Sequence, residues 1–130
     1  MIELTLPWPP SVNVYKKPGR MVTTQSGKLI QTRVDTKETT MFDYQVWALI
    51  KSKKAKEGLK SFDREAIVGL EVLAYPPDAK RRDIDNILKV LVDSLVRGGL
   101  IPDDFQISRL LIQRCGIVDQ GKVVVRIYEL

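Results

Sequence analysis

Asp83 and Asp85 flank Ile84, Lys89 follows four residues after Asp85, and the pair Asp103-Asp104 comes after the next apolar segment. Carboxylate oxygens are hard ligands. Two or three of them hold Mg²⁺, with Mn²⁺ as a substitute, and such an ion activates water and stabilises the charge of a pentacovalent phosphate. A lysine beside them orients water or neutralises a developing oxyanion. The chemistry this set suits is phosphodiester hydrolysis, with two or three of the carboxylates holding the ion and Lys89 beside them. Each residue also has a plainer use. One aspartate caps a helix, an Asp85–Lys89 pair on one helix face contributes only about 0.3 to 0.5 kcal/mol, and aspartate-rich turns are common. A cap takes one aspartate, however, and here two stand directly after Lys80-Arg81-Arg82. Whether Asp104 faces the other two depends on tertiary folding, which spacing does not show.

Composition narrows the choices. The chain of 130 residues has no histidine, which removes Ser-His-Asp and Cys-His catalysis, histidine bases and most zinc sites together. Cys115 is the single cysteine, so no intrachain disulfide forms, and it reads as a passive thiol. A net charge of +5 favours an anionic partner. Lys80, Arg81 and Arg82 adjoin the acidic motif and would offset its repulsion of DNA phosphates; Lys16, Lys17 and Arg20 form a second basic group. Apolar stretches are short, and the amino terminus lacks a basic region followed by an apolar block. The expectation is a cytoplasmic protein with no membrane association.

The elements that must position these residues follow from periodicity. Ile2 to Leu6 alternates as a half-buried strand, ended by Pro7, Pro9 and Pro10. Ser11 to Arg20 reads as a basic, turn-rich loop, followed by a short hairpin about Ser26-Gly27. Asp35 with Glu38 reads as a capping box opening a helix through Met41, Tyr44, Trp47, Ala48 and Ile50 towards Gly58, with a cationic distal half from Lys51 to Lys56. Ala66 to Tyr75 has the apolar density of a central strand. A polar loop from Asp78 to Arg82 leads into a second helix, with Ile84, Ile87, Leu88, Leu91 and Leu95 as its buried stripe and Gly98-Gly99 as its end. Ile107 to Gln113 and Lys122 to Tyr128 read as two strands joined around Asp119-Gln120-Gly121. The fold class expected is α/β: a single compact domain over residues 1–130, with a mixed β-sheet and two main helices.

Two blocks carry a family resemblance. Leu6-Pro7-Trp8-Pro9-Pro10-Ser11-Val12-Asn13-Val14-Tyr15 is similar to an amino-terminal Leu-Pro-Pro-Ser-x-Asn-x-Tyr signature, and Arg82-Asp83-Ile84-Asp85-Asn86-Ile87-Leu88-Lys89 is followed, after a helix and a glycine turn, by Asp103-Asp104. The chain resembles the RusA-type Holliday junction resolvases of bacteria and their phages, with residues 21–64 alike only in character. The resemblance implies metal binding by Asp83, Asp85 and Asp104 and an essential Lys89. It also implies a symmetric homodimer that cuts two opposed strands of a four-way junction. Asn13, Asn86 and Asp103 are possible neighbours of the site. The leading expectation is a Mg²⁺-dependent endonuclease that introduces paired nicks with 5′-phosphate ends. Two alternatives stay open: a non-catalytic nucleic-acid-binding module, and a branched-DNA nuclease acting on flaps or forks.

Overall fold

Alternation of apolar and polar residues builds the sheet. In the computed structural model, which describes residues 1–130, the first strand β1 (Ile2–Pro7) buries Leu4 and Leu6 and turns Glu3 and Thr5 outward. The hairpin strands β2 (Lys16–Thr23) and β3 (Leu29–Asp35) come next, then the helix α1 (Lys37–Glu57) and the strand β4 (Val68–Tyr75). The helix α2 (Leu88–Arg97) and the strands β5 (Ile107–Arg114) and β6 (Lys122–Glu129) complete the fold. The main sheet has the order β1-β6-β4-β5, with β6 antiparallel to both neighbours and β5 parallel to β4. The architecture is α/β, as expected, and β4 is indeed internal to the sheet.

One face of the sheet meets the helices. Leu4, Leu6, Val68, Leu70, Val72, Val123, Val125 and Ile127 join Phe42, Val46 and Ile50 of α1 and Val90, Leu91 and Leu95 of α2 in one apolar cluster. On the opposite face Arg126 of β6 pairs with Glu3 at 2.9 Å and reaches Glu71 at 4.0 Å, so neighbouring strands are laced by charge where no layer covers them. No helix is long and apolar enough to cross a membrane.

Four expectations are corrected. The basic segment from Lys16 to Arg20 is strand, because β2 pairs with β3 as far back as Lys16 and Asp35; the hairpin turn lies at Thr24 to Lys28, with Gly27 at a φ of 83°. Thr36, not Asp35, caps α1: its side chain accepts from the Thr39 amide, while Asp35 is held as the last residue of β3. The stretch from Ile84 to Ile87 is a 3-10 turn, and the α-helix begins only at Leu88. Ile84 is consequently exposed, and Val90 and Ser94 join Leu91 and Leu95 inside. Finally, β5 and β6 are not a hairpin, because β4 lies between them. In the lysine-rich end of α1, Lys54 donates to Gly99 O at 3.1 Å and Lys53 pairs with Glu57 at 3.3 Å, while Lys51 and Lys56 are exposed.

Gly69 of β4 faces Tyr128 across the ladder, and a Cβ there would lie 2.5 Å from the Tyr128 ring. Gly69→Val should therefore cost about 1 to 3 kcal/mol in urea unfolding. Adding Tyr128→Ala in the same chain should recover part of that loss, whereas an undiminished loss in the double variant would refute the contact.

Candidate active site

Because β1 and β4 both run antiparallel to β6, and β5 runs parallel to β4, three strands end at the same edge of the sheet. That edge holds a cavity of about 860 Å³ lined by residues following each strand: Trp8, Ser11 and Asn13 after β1; Pro76, Asp78 to Ile84, Asn86 and Ile87 after β4; Arg114 to Ile117 at the end of β5. Open α/β sheets place ligands at strand carboxyl ends for this topological reason. Asp83, Asn13 and Asn86 meet here, together with Lys80, Arg81 and Arg82.

Asp83 occupies the N-cap position of the 3-10 turn but makes no side-chain cap bond, and its side chain is exposed. Helix capping therefore does not account for its carboxylate. Asp85 is also exposed, and neither it nor Asp83 forms an ion pair within the chain. The Asp85–Lys89 pair drawn from helical spacing is absent, since the two residues straddle the change from 3-10 to α-helix. Lys89 instead pairs with Asp93, one turn on, at 3.2 Å.

Asp103 has a structural role. It accepts from the Phe105 amide at 3.0 Å, and Gln106 returns a bond to the Asp103 amide at 3.0 Å, which completes a capping box. The Phe105 amide holds the Asp103 carboxyl below its ordinary range. Asp104 lines a separate cleft with Asp93, Arg97 and Asp103, whereas Asp83 lines the large cavity. No three carboxylates converge closely enough to hold one ion. The turns carrying Asp85 and Asp104 nevertheless pack against the same helix, α2.

Sequence reasoning assigned no role to Asp93 or Tyr15. The Tyr15 hydroxyl donates to Asp93 and accepts from Arg97 at 3.2 Å, and Arg97 also bonds Asp43 at 2.6 Å and Asp35 at 3.2 Å. The Tyr15 carbonyl takes the Thr39 hydroxyl at 2.8 Å, so this one residue joins the amino-terminal segment to both helices. Burial, then the hydrogen bond to Asp93, pushes the Tyr15 phenol up to about 12. Burial also raises the Asp43 carboxyl, although Arg97 opposes it. Lysine-to-aspartate spacing at Lys89 and Asp93 was a readable signal. Tyr15 lies 78 residues from Asp93 and offered none.

The basic residues divide. Arg82 pairs with Asp78 at 2.7 Å, lies 5.9 Å from the Trp8 ring and accepts on its carbonyl from Arg114 at 2.6 Å, so it shapes the loop. Arg82, ahead of the Lys80 amide, draws the Asp78 carboxyl below its usual range. Lys80 and Arg81 are exposed on the cavity rim. Lys16 is tied to Asp35 at 3.4 Å, while Lys17 and Arg20 are exposed on the hairpin and do not line the cavity.

Fold and site together define a small α/β protein with an acidic crossover segment and a cation-rimmed cavity at its strand ends. Residues 7–128 match the model of the family described as Endodeoxyribonuclease RusA, and the chain belongs to that family. It is 33% identical over 128 residues to the crossover junction endodeoxyribonuclease rusA of Enterobacteria phage HK97, covering 98% of this chain and 94% of the relative. It is 28% identical to the proteins of the same name from Escherichia coli K12 and Enterobacteria phage 82, with the same coverage.

Tyr15→Phe should lower stability by about 1 kcal/mol near neutral pH through loss of its bond to Asp93. The phenol holds its proton more tightly folded, at about 12 against 10.0, so its contribution is whole below pH 10 and is lost as pH rises through 12. The stability gap between parent and Tyr15→Phe should therefore shrink between pH 10 and 12 in urea melts; a constant gap would contradict the assignment.

Proposed function

We propose that the chain is a Mg²⁺-dependent endodeoxyribonuclease that resolves four-way DNA junctions by paired nicks with 5′-phosphate ends. The observation that carries this reading is the pair Asp83 and Asp85, left without ion-pair partners beside a cation-rimmed cavity in a chain of the RusA family. The relatives' names supply the junction as substrate.

The donor set fits a hard divalent ion: carboxylates and amides, no histidine and one isolated thiol. Asp83, Asp85 and Asp104 would hold it; sharing one ion among all three requires the carboxylates to stand closer together than they do here. When bound, the ion supplies an activated water and charge stabilisation at the phosphate. Lys89 neutralises the oxyanion, and Asp93, itself bonded by Tyr15, holds the ammonium in place. Lys80 and Arg81 draw the strand to the rim by phosphate contacts.

Residues 1–130 act as one domain, in the cytoplasm, as a homodimer that presents two sites to opposed strands. Exposed apolar side chains on α1 (Met41, Tyr44, Trp47) and on the outer strand β5 (Leu110, Leu111) support self-association. Light scattering should give twice the 14.8 kDa chain mass; a monomer at micromolar concentration would remove the dimer.

Cleavage of a labelled four-way junction, compared with linear duplex, flap and fork, tests the activity. Asp83→Asn, Asp85→Asn and Asp104→Asn should each lose about 10²-fold or more in Mg²⁺-dependent nicking while binding the junction. Junction binding by the parent without cleavage under any divalent ion would leave a binding module, and preferred cutting of flaps or forks would replace the substrate.

A further inference from the structure

The cavity at the strand ends is larger than a phosphate site requires. Its volume of about 860 Å³ lies within the range that encloses a whole small ligand. Its lining combines three chemistries. Trp8 and Ile117 are apolar, Asn13 and Asn86 carry amides that both donate and accept, and Arg81 and Arg114 are cationic. The Arg82 guanidinium lies 5.9 Å from the Trp8 ring, which adds a second group on which a base stacks. Asp83 is on the same lining, so whatever fills the cavity lies beside the acidic motif.

Apolar rings, amides and cations together match a nucleotide: a flat base, a polar base edge and a phosphate. Drawing a base out of continuous duplex costs both its pairing and its stacking, whereas a nucleotide whose pairing or stacking is already disturbed swings out at lower cost. We propose that this pocket receives one nucleotide swung out of its base pair at the branch point. The base stacks at Trp8 and Arg82, its edge is read by Asn13 and Asn86, and the phosphate is held by Arg81 and Arg114. The inference rests on the nuclease reading for the source of that nucleotide. It makes Asn13 and Asn86 determinants of base preference.

Photo-crosslinking tests it. A single 5-iodo-deoxyuridine is scanned through the nucleotides around the branch of a four-way junction, bound to the full chain in EDTA so that nothing is cut. The expected adduct is at Trp8, from one or two positions only. Gly116 is on the cavity lining and a Cβ there meets nothing within 4 Å, so Gly116→Phe and Gly116→Trp, which place a large side chain on that lining, are the two blocking variants. Compared at equal junction occupancy in EDTA, as read by gel shift, each folded variant should lose the Trp8 adduct at least tenfold. Adducts confined to other residues, or an undiminished Trp8 adduct in a folded blocking variant, would overturn the pocket and leave the nuclease reading standing. Equal Trp8 labelling by free 5-iodo-deoxyuridine monophosphate at the same concentration would make it a free-nucleotide site and overturn strand capture. Absence of junction binding by the parent, seen in the same gel shift, would overturn the nuclease reading and this inference with it.

Discussion

Parallel pairing of β4 with β5 is the constraint on which the rest of the structure depends. A chain leaving one strand cannot enter a parallel neighbour through a tight turn; it must travel back along the sheet, and a helix is the usual vehicle. Here that vehicle is α2, which inserts Val90, Leu91 and Leu95 into the core. Its burial fixes the acidic residues on either side of it: Asp83 and Asp85 where the chain leaves β4, Asp103 and Asp104 where it prepares to enter β5. The same strand directions bring Trp8 and Arg114 to the edge where Asp83 lies.

Polar side chains then settle what packing leaves free. Lys89 is more than half exposed while Asp93 is mostly covered, at 58% and 17%. An ion pair with one wet partner contributes well under about 1 kcal/mol to stability, so its consequence is orientation of the ammonium rather than cohesion of the fold. Asp93 can hold that lysine because Tyr15 bonds its other oxygen, and Tyr15 is in turn braced by Arg97. Arg97 shows how the competition resolves: burial alone would weaken its hold on its proton, but the hydrogen bond and charge of Asp43 outweigh that and raise it.

Much of this was legible in the sequence wherever period and burial coincide. The strands at Ile2, Ala66 and Lys122 and the stripe of Leu91 and Leu95 each bury one face against a single layer, so their spacing reports their environment. The acidic motif was legible for another reason: two aspartates are one more than a cap needs. What escaped depends on partners distant in sequence. Two strands separated by a short segment read as a hairpin, but β4 outcompetes that local pairing with a longer apolar ladder on both of its edges. Asp35 resembles a cap until β3 and Arg97 claim it. Helical spacing also assumes an α-helix at Asp85, whereas the chain tightens to a 3-10 turn before Leu88.

The β2–β3 hairpin buries no residue. It is joined to the body at its base, through Lys16, Asp35 and Arg97, and elsewhere its side chains meet water. Selection for stability consequently has little hold on it, since substitutions along an exposed ribbon change folding free energy only slightly. The ribbon can change in length and charge without disturbing the sheet, and it offers evolution an appendage to refit without reopening the core.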